Sequence, residues 1–195
     1  MKIFMKRTFD FCVSLFLLIL LSPVLAVIAL VILIDDGAPV IFRQKRVGRN
    51  AENFEIIKFR TMKKGTRNAA TANLSEADEQ ITRSGRILRK TSLDELLQLV
   101  NVLNGSMSLV GPRPLIPEET DIHELRLKYG VYSVRPGVTG WAQINGRDNL
   151  SAKEKALFDK EYIDKQSLLF DIKILIRTVS VVLRRENISE GGNQA

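Results

Sequence analysis

The residues best suited to chemistry are the adjacent carboxylates Asp94 and Glu95, in the run Thr91-Ser92-Leu93-Asp94-Glu95-Leu96-Leu97-Gln98-Leu99-Val100. Leu93, Leu96, Leu97, Val100 and Leu103 recur at helical spacing, so the run predicts an amphipathic helix with both acids in its first turn. Arg83, Arg86, Arg89 and Lys90 lead into it. A helix start favours anions through its free N–H groups and its dipole, and fixed positive charge beside it makes a place suited to phosphate. The same residues also fit a purely structural role. Ser92 and Glu95 form an S-x-x-E capping box, in which Asp94 would help the dipole.

Two further stretches add rigid positive charge. In Gly105-Ser106-Met107-Ser108-Leu109-Val110-Gly111-Pro112-Arg113-Pro114 an arginine stands between two prolines, with little backbone freedom and a planar fork matched to phosphate oxygens. The second, Val134-Arg135-Pro136-Gly137-Val138-Thr139-Gly140-Trp141 through Gly146-Arg147, combines glycines for tight turns with Arg135, Arg147 and a tryptophan able to stack or to anchor at a membrane interface. A rigid surface turn explains either loop alone; two of them beside an acid-bearing basic segment point to an anionic substrate.

The whole composition agrees. The 195 residues carry a formal charge of +7, which implies nucleic acid, a phosphorylated substrate or a lipid surface as partner. Lys58 and Arg60 alternate with Ile57 and Phe59 as in some nucleic-acid binders, yet no RNA-binding signature surrounds them, and no nucleic-acid partner is expected. Cys12 and His123 are single, which excludes internal disulfides and argues against a Cys/His zinc site or a serine triad. His123 is expected on an exposed helix.

The positioning elements begin with Phe11 to Ile34, apolar except at Ser14 and at Ser22-Pro23, and long enough to cross a ~30 Å hydrocarbon core as a straight helix. Lys2, Lys6 and Arg7 before it and Arg43, Lys45, Arg46 and Arg49 after it all favour the cytoplasm. A helix broken at Ser22-Pro23 that enters and leaves by one face satisfies both clusters; a kinked transmembrane helix is the alternative. Short strands are predicted at Pro39 to Phe42 and Asn53 to Thr61, then a polar loop from Lys63 to Gln80, a charged helix from Lys153 to Lys165, and a stripe of Ile172, Leu175, Ile176, Val179, Val182 and Leu183 flanked by Lys173, Arg177, Arg184 and Arg185. That stripe suits a helix in the membrane interface or one packed on a core.

The ordered blocks Lys6-Arg7 through Ser22-Pro23, Phe42-Arg43-Gln44-Lys45-Arg46-Val47-Gly48, Lys58-Phe59-Arg60-Thr61-Met62, Ser92-Leu93-Asp94-Glu95-Leu96, Ser108 to Pro114 and Arg135-Pro136-Gly137-Val138-Thr139-Gly140 resemble the bacterial sugar transferase family, the monotopic polyprenyl-phosphate phosphoglycosyl transferases. The resemblance implies an enzyme that transfers a sugar 1-phosphate from a UDP-sugar to polyprenyl phosphate, releasing UMP, as the first membrane step of a surface glycan or glycoprotein pathway. It implies a mostly α, α/β fold. Residues 1–36 would form a re-entrant membrane hairpin broken at Ser22 and Pro23, residues 37–188 a catalytic domain on the cytoplasmic face of the inner membrane, and residues 189–195 a disordered tail. Such a chain is expected to be the family's minimal catalytic unit.

By the same resemblance Asp94 is the covalent nucleophile and a Mg²⁺ ligand, and Glu95 its partner in the second half-reaction. Lys58, Arg89, Arg113 and Arg147 match basic active-site positions, Asp159 and Asp171 acidic ones. Leu97 departs from the family pattern, standing where many members have proline. The resemblance leaves room for self-association or for contact with glycosyltransferases of the same pathway. Two rival readings make different demands: a non-catalytic module binding anionic lipid or a partner needs the dyad only as a cap, and a soluble nucleotide-sugar enzyme on an anchor needs no polyprenyl phosphate. No residue type in the loops singles out a sugar.

Overall fold

A computed structural model describes residues 2–66, 77–146 and 149–184. Arg147, most of the Lys63 to Gln80 loop and the expected disordered tail lie outside them. The first element, α1 (Lys2–Asp36), is a 35-residue helix with Pro23 inside it. The helix runs on through Ser22-Pro23, where an interruption was expected. Proline lacks the N–H that would bond to Ile19 O four residues back, and the Ser22 hydroxyl donates to that carbonyl instead, at 2.8 Å. One substituted bond keeps the segment helical.

β1 (Ile41–Val47) and β2 (Asn53–Phe59) pair antiparallel, from Ile41 opposite Phe59 to Val47 opposite Asn53. α2 (Arg83–Thr91) leads through a 3₁₀ turn, Leu93–Leu97, into α3 (Gln98–Asn104). β3 (Ser108–Val110) crosses by way of α4 (Thr120–Lys128) to a parallel partner, β4 (Gly137–Thr139). Then come α5 (Trp141–Ile144), α6 (Ala152–Lys165) and α7 (Leu168–Arg184). The described chain is mostly helical with two small sheets.

α1 packs on the rest of the chain along much of its length. Before Pro23, Phe9, Val13, Leu17 and Leu18 lie against a core of Ile56, Leu99, Val102, Met107, Tyr162 and Ile174. After it, Leu25, Ile28, Ala29 and Ile32 join Phe59 and Leu88. Polar contacts fasten both ends: Lys6 Nζ lies 2.6 Å from Asp171 Oδ2, Arg7 donates to Val102 O and Leu103 O, Ser84 donates to Asp35, and Arg60 Nη2 lies 3.0 Å from Asp36 Oδ2. The opposite face of α1, including Phe16, Ile19, Leu20, Val27, Leu30 and Ile34, is exposed and apolar. A second such surface lies on α7, whose Asp171, Ile174 and Val181 turn inward while Ile176 and Val179 of the expected stripe stand exposed beside Lys173 and Arg177.

Candidate active site

The backbone at the dyad differs from the expected helix start. Ser92 adopts a left-handed conformation, φ 56°, and its N–H bonds back to Leu88 O and Arg89 O, so it closes α2 rather than opening a new helix. Its side chain makes no cap bond, and the S-x-x-E capping box does not form. An N-cap needs extended backbone, which a residue closing the preceding helix cannot supply. Asp94 and Glu95 therefore sit in the 3₁₀ turn, and α3 begins only at Gln98. The positive charge around them comes chiefly from side chains, not from a helix N-terminus.

Those side chains converge from three elements. Lys58 comes from β2, Arg89 from the last turn of α2, and Arg113 from the turn after β3; all three draw the Asp94 pKa down, while burial and the Glu95 charge push it up more strongly, to about 6. Asp94 is 6% exposed. Glu95 accepts from Arg113 Nη2 at 3.0 Å. Burial lowers the Lys58 pKa against the pull of both carboxylates, and its ammonium lies 5.8 Å from the centre of the Phe42 ring. Arg89 donates from Nε to Thr61 Oγ1 at 3.0 Å, which aims the guanidinium. A cavity of about 330 Å³, lined by Phe42, Arg46, Lys58, Phe59, Met62 and Arg89 among others, opens beside this group.

Lys58, Arg89, Arg113 and Glu95 are thus brought around Asp94. Asp159 and Asp171 are placed otherwise. Asp159 Oδ2 accepts from Arg126 Nε at 2.9 Å and Nη2 at 2.6 Å, so it reaches the dyad only through Arg126 and the turn that Arg126 holds. Asp171, 1% exposed, accepts from Lys6 at 2.6 Å and from the Tyr162 hydroxyl at 2.8 Å, tying α1 to α6 and α7. Arg135 is occupied too, donating to Gly105 O at 2.7 Å. Trp141 packs against Phe170 and donates to Glu161, and His123, half-buried, contacts the Tyr132 hydroxyl and Ile116 O.

Asn101 belongs to no recognisable motif, yet it registers the site. Its side chain accepts from Ile57 N at 2.9 Å and donates to Glu55 O at 2.7 Å, pairing with the outer edge of β2 and so setting α3 and the dyad turn against Lys58. An amide that mimics a strand edge leaves no periodic signal.

A carboxylate buried among three cations, beside a basic cavity, is an arrangement suited to phosphoryl-type transfer. The model of the bacterial sugar transferase family matches residues 1–185. The chain belongs to that family. It is 40% identical over 186 residues to a Bacillus subtilis (strain 168) protein named as an uncharacterized sugar transferase, EpsL, covering 95% of this chain and 91% of that one. To the Escherichia coli (strain K12) UDP-glucose:undecaprenyl-phosphate glucose-1-phosphate transferase it is 43% identical over 182 residues, 90% of this chain but 39% of that one. The exopolysaccharide production protein ExoY of Sinorhizobium fredii (strain NBRC 101917 / NGR234) is 36% identical over 192 residues, 91% of this chain and 84% of that one. The chain is therefore comparable in extent to two of these members and spans about two fifths of the third.

Proposed function

We propose that this sugar transferase moves a sugar 1-phosphate from a UDP-sugar to polyprenyl phosphate through a phosphosugar ester of Asp94. The observation that carries the reading is the Asp94 carboxylate, buried next to Glu95 and under the influence of Lys58, Arg89 and Arg113. An Asp94 oxygen attacks the phosphorus that bears the sugar. The bond from that phosphorus to the bridging oxygen breaks, and UMP leaves with the electron pair. A phosphate oxygen of the polyprenyl acceptor then attacks the same phosphorus, displacing the Asp94 carboxylate and leaving a polyprenyl diphosphate sugar. Glu95 takes the acceptor's proton or orients its phosphate.

Both steps bring anions onto an anion, so the cations decide the rate. Lys58, Arg89 and Arg113 offset the repulsion between carboxylate and diphosphate, and the proline-bound Arg113 is already in place when charge develops. Among the described residues no three His, Cys, Asp or Glu side chains form a metal cage. The two hard carboxylates of the dyad nonetheless fit Mg²⁺, which takes one or two protein carboxylates and completes its shell with substrate phosphates and water. Asp94, with Glu95 beside it, would hold the ion, which when bound supplies further charge neutralisation at the diphosphate.

The attachment of both ends of α1 to one domain supports a re-entrant membrane segment, one that would bend at Pro23 within a continuous helix in place of the expected break. A straight crossing would set Lys6 and Asp36 on opposite sides of a ~30 Å core, whereas Asp171 and Arg60 hold them on a single body. The cytoplasmic face of the inner membrane then carries the domain, where UDP-sugars are available, and the product starts a surface glycan.

The test is UMP release by purified protein in detergent with Mg²⁺, polyprenyl phosphate and a panel of UDP-sugars. Release that requires both substrates and ping-pong kinetics is expected. Turnover on water-soluble acceptors without polyprenyl phosphate would overturn the acceptor assignment, and silence with every donor would overturn the reaction.

A further inference from the structure

Four consecutive carbonyls of the turn that carries Arg113 accept hydrogen bonds from outside the turn. Pro112 O accepts from Gly137 N, and Leu115 O from Val47 N, each at 2.9 Å. Between them Arg113 O accepts from Arg126 Nη1 at 2.8 Å, and Pro114 O from Arg46 Nη1 at 3.4 Å. Pro112 and Pro114 have no N–H to give, so the turn cannot hold its shape with a ladder of its own. Its geometry is set by neighbours.

The tightest of the side-chain holds is the one from Arg126. Its side chain is 3% exposed, and Asp159 takes two of its nitrogens, Nε and Nη2, which fixes the guanidinium plane before the third reaches Arg113 O. A buried ion pair by itself adds little net stability over apolar packing. What this pair adds is direction, because its remaining nitrogen ends on the backbone of the residue whose side chain reaches Glu95.

We propose that Arg126 is a positioning residue for the transfer reaction: anchored by Asp159, it holds the Arg113 carbonyl and so aims the Arg113 guanidinium at Glu95 and the substrate phosphate. Arg46 performs the lesser version of the same task at Pro114. The inference rests on the phosphoglycosyl transfer reading for its effect on rate, and on the contacts alone for its effect on geometry. It also gives Asp159 a role one step behind Arg126.

Two measurements test it. In the UMP release assay Arg126→Gln, Arg113→Ala and the double variant are compared. Arg126→Gln is expected to lower kcat/KM by about 30-fold when Arg113 is present and by less than about threefold in the Arg113→Ala background, because a misplacement of about 1 Å has no target once the guanidinium is gone. Losses that multiply would overturn the proposal. Arg126→Lys keeps a charge against Asp159 while losing the fork, and takes the place of Gln should that variant fail to fold.

The second measurement does not use activity. A nitroxide is attached to Arg113→Cys in a Cys12→Ser chain, removing the exposed native thiol. Its spectrum is expected to be broad with Arg126 in place and to narrow with Arg126→Gln or Arg126→Lys. An unchanged spectrum overturns the proposal. If the parent chain releases no UMP with any donor, the reaction reading falls while the nitroxide still decides whether Arg126 holds the turn.

Discussion

Arg113 Nη2 and Glu95 Oε1 lie 3.0 Å apart, so the acid beside Asp94 is held by the arginine of the proline-bounded turn. The contact keeps the Glu95 charge close to Asp94, whose carboxylate is already penalised by burial.

Asp94→Asn removes the carboxylate proposed as the nucleophile and leaves the side-chain volume nearly unchanged. UMP release is expected to fall below detection, with membrane association and folding retained. Activity within tenfold of the parent would take Asp94 out of that role.

The Asp94 pKa, pushed up to about 6 from an ordinary carboxylate value of 3.8, has two consequences of opposite sign. The proposed attack needs the anion, so kcat/KM should fall as pH drops through about 6. Stability runs the other way: the folded state holds this proton more tightly than the unfolded one, so the contribution is complete below the unfolded pKa and is lost as pH rises through the folded one. At pH 8 the buried charge costs roughly 2–3 kcal/mol by that linkage. Asp94→Asn should therefore melt higher than the parent at pH 8, with the gap closing near pH 4; a gap independent of pH would contradict the assignment.

Lys6→Met leaves the Asp171 carboxylate buried with the Tyr162 hydroxyl as its remaining partner. The expected loss is about 3–5 kcal/mol at neutral pH, as for other broken buried pairs. Burial already raises the Asp171 pKa and Lys6 restrains it, so the loss should shrink on acidification, and Lys6→Met with Asp171→Asn should recover most of it. Denaturant melts of the three variants at two pH values decide the matter.

Gly137 has no room for a side chain. A Cβ there would stand 2.1 Å from Gly111 N and 2.3 Å from Thr139 O, backbone atoms that cannot step aside. Gly137→Ala should cost about 1–3 kcal/mol by overpacking and, through Pro112 O, disturb Arg113. A melting curve and UMP release measured together should both fall.

Topology offers a test of α1. Tags at either end of the chain should be labelled only from the cytoplasmic side in intact cells. Labelling of the N-terminal tag from outside would require release of the contacts at Lys6 and Arg7 and would overturn the re-entrant reading.

Much of this protein was determined by the sequence alone. Local signals sufficed for the apolar N-terminal helix, the strand pair and the charged helix at Ala152–Lys165, and they singled out Asp94 and Glu95 as adjacent acids, because periodicity and adjacency are properties of neighbouring residues. The resemblance carried Lys58, Arg89 and Arg113 as well. Tertiary structure decided the rest. Ser92 closes α2 instead of opening a helix, so its turn conformation overrode the capping pattern. The two strands reach Val47 and stop at Phe59 because their pairing register, rather than propensity, sets their length. Asp159 finds Arg126, 33 residues away, and Asp171 finds Lys6 at a separation of 165, pairings that exist only once α4 docks on α6 and α7 meets α1. Which carboxylates perform chemistry and which hold the frame depends on the dielectric and the partner each one meets. Those are properties of the packed molecule.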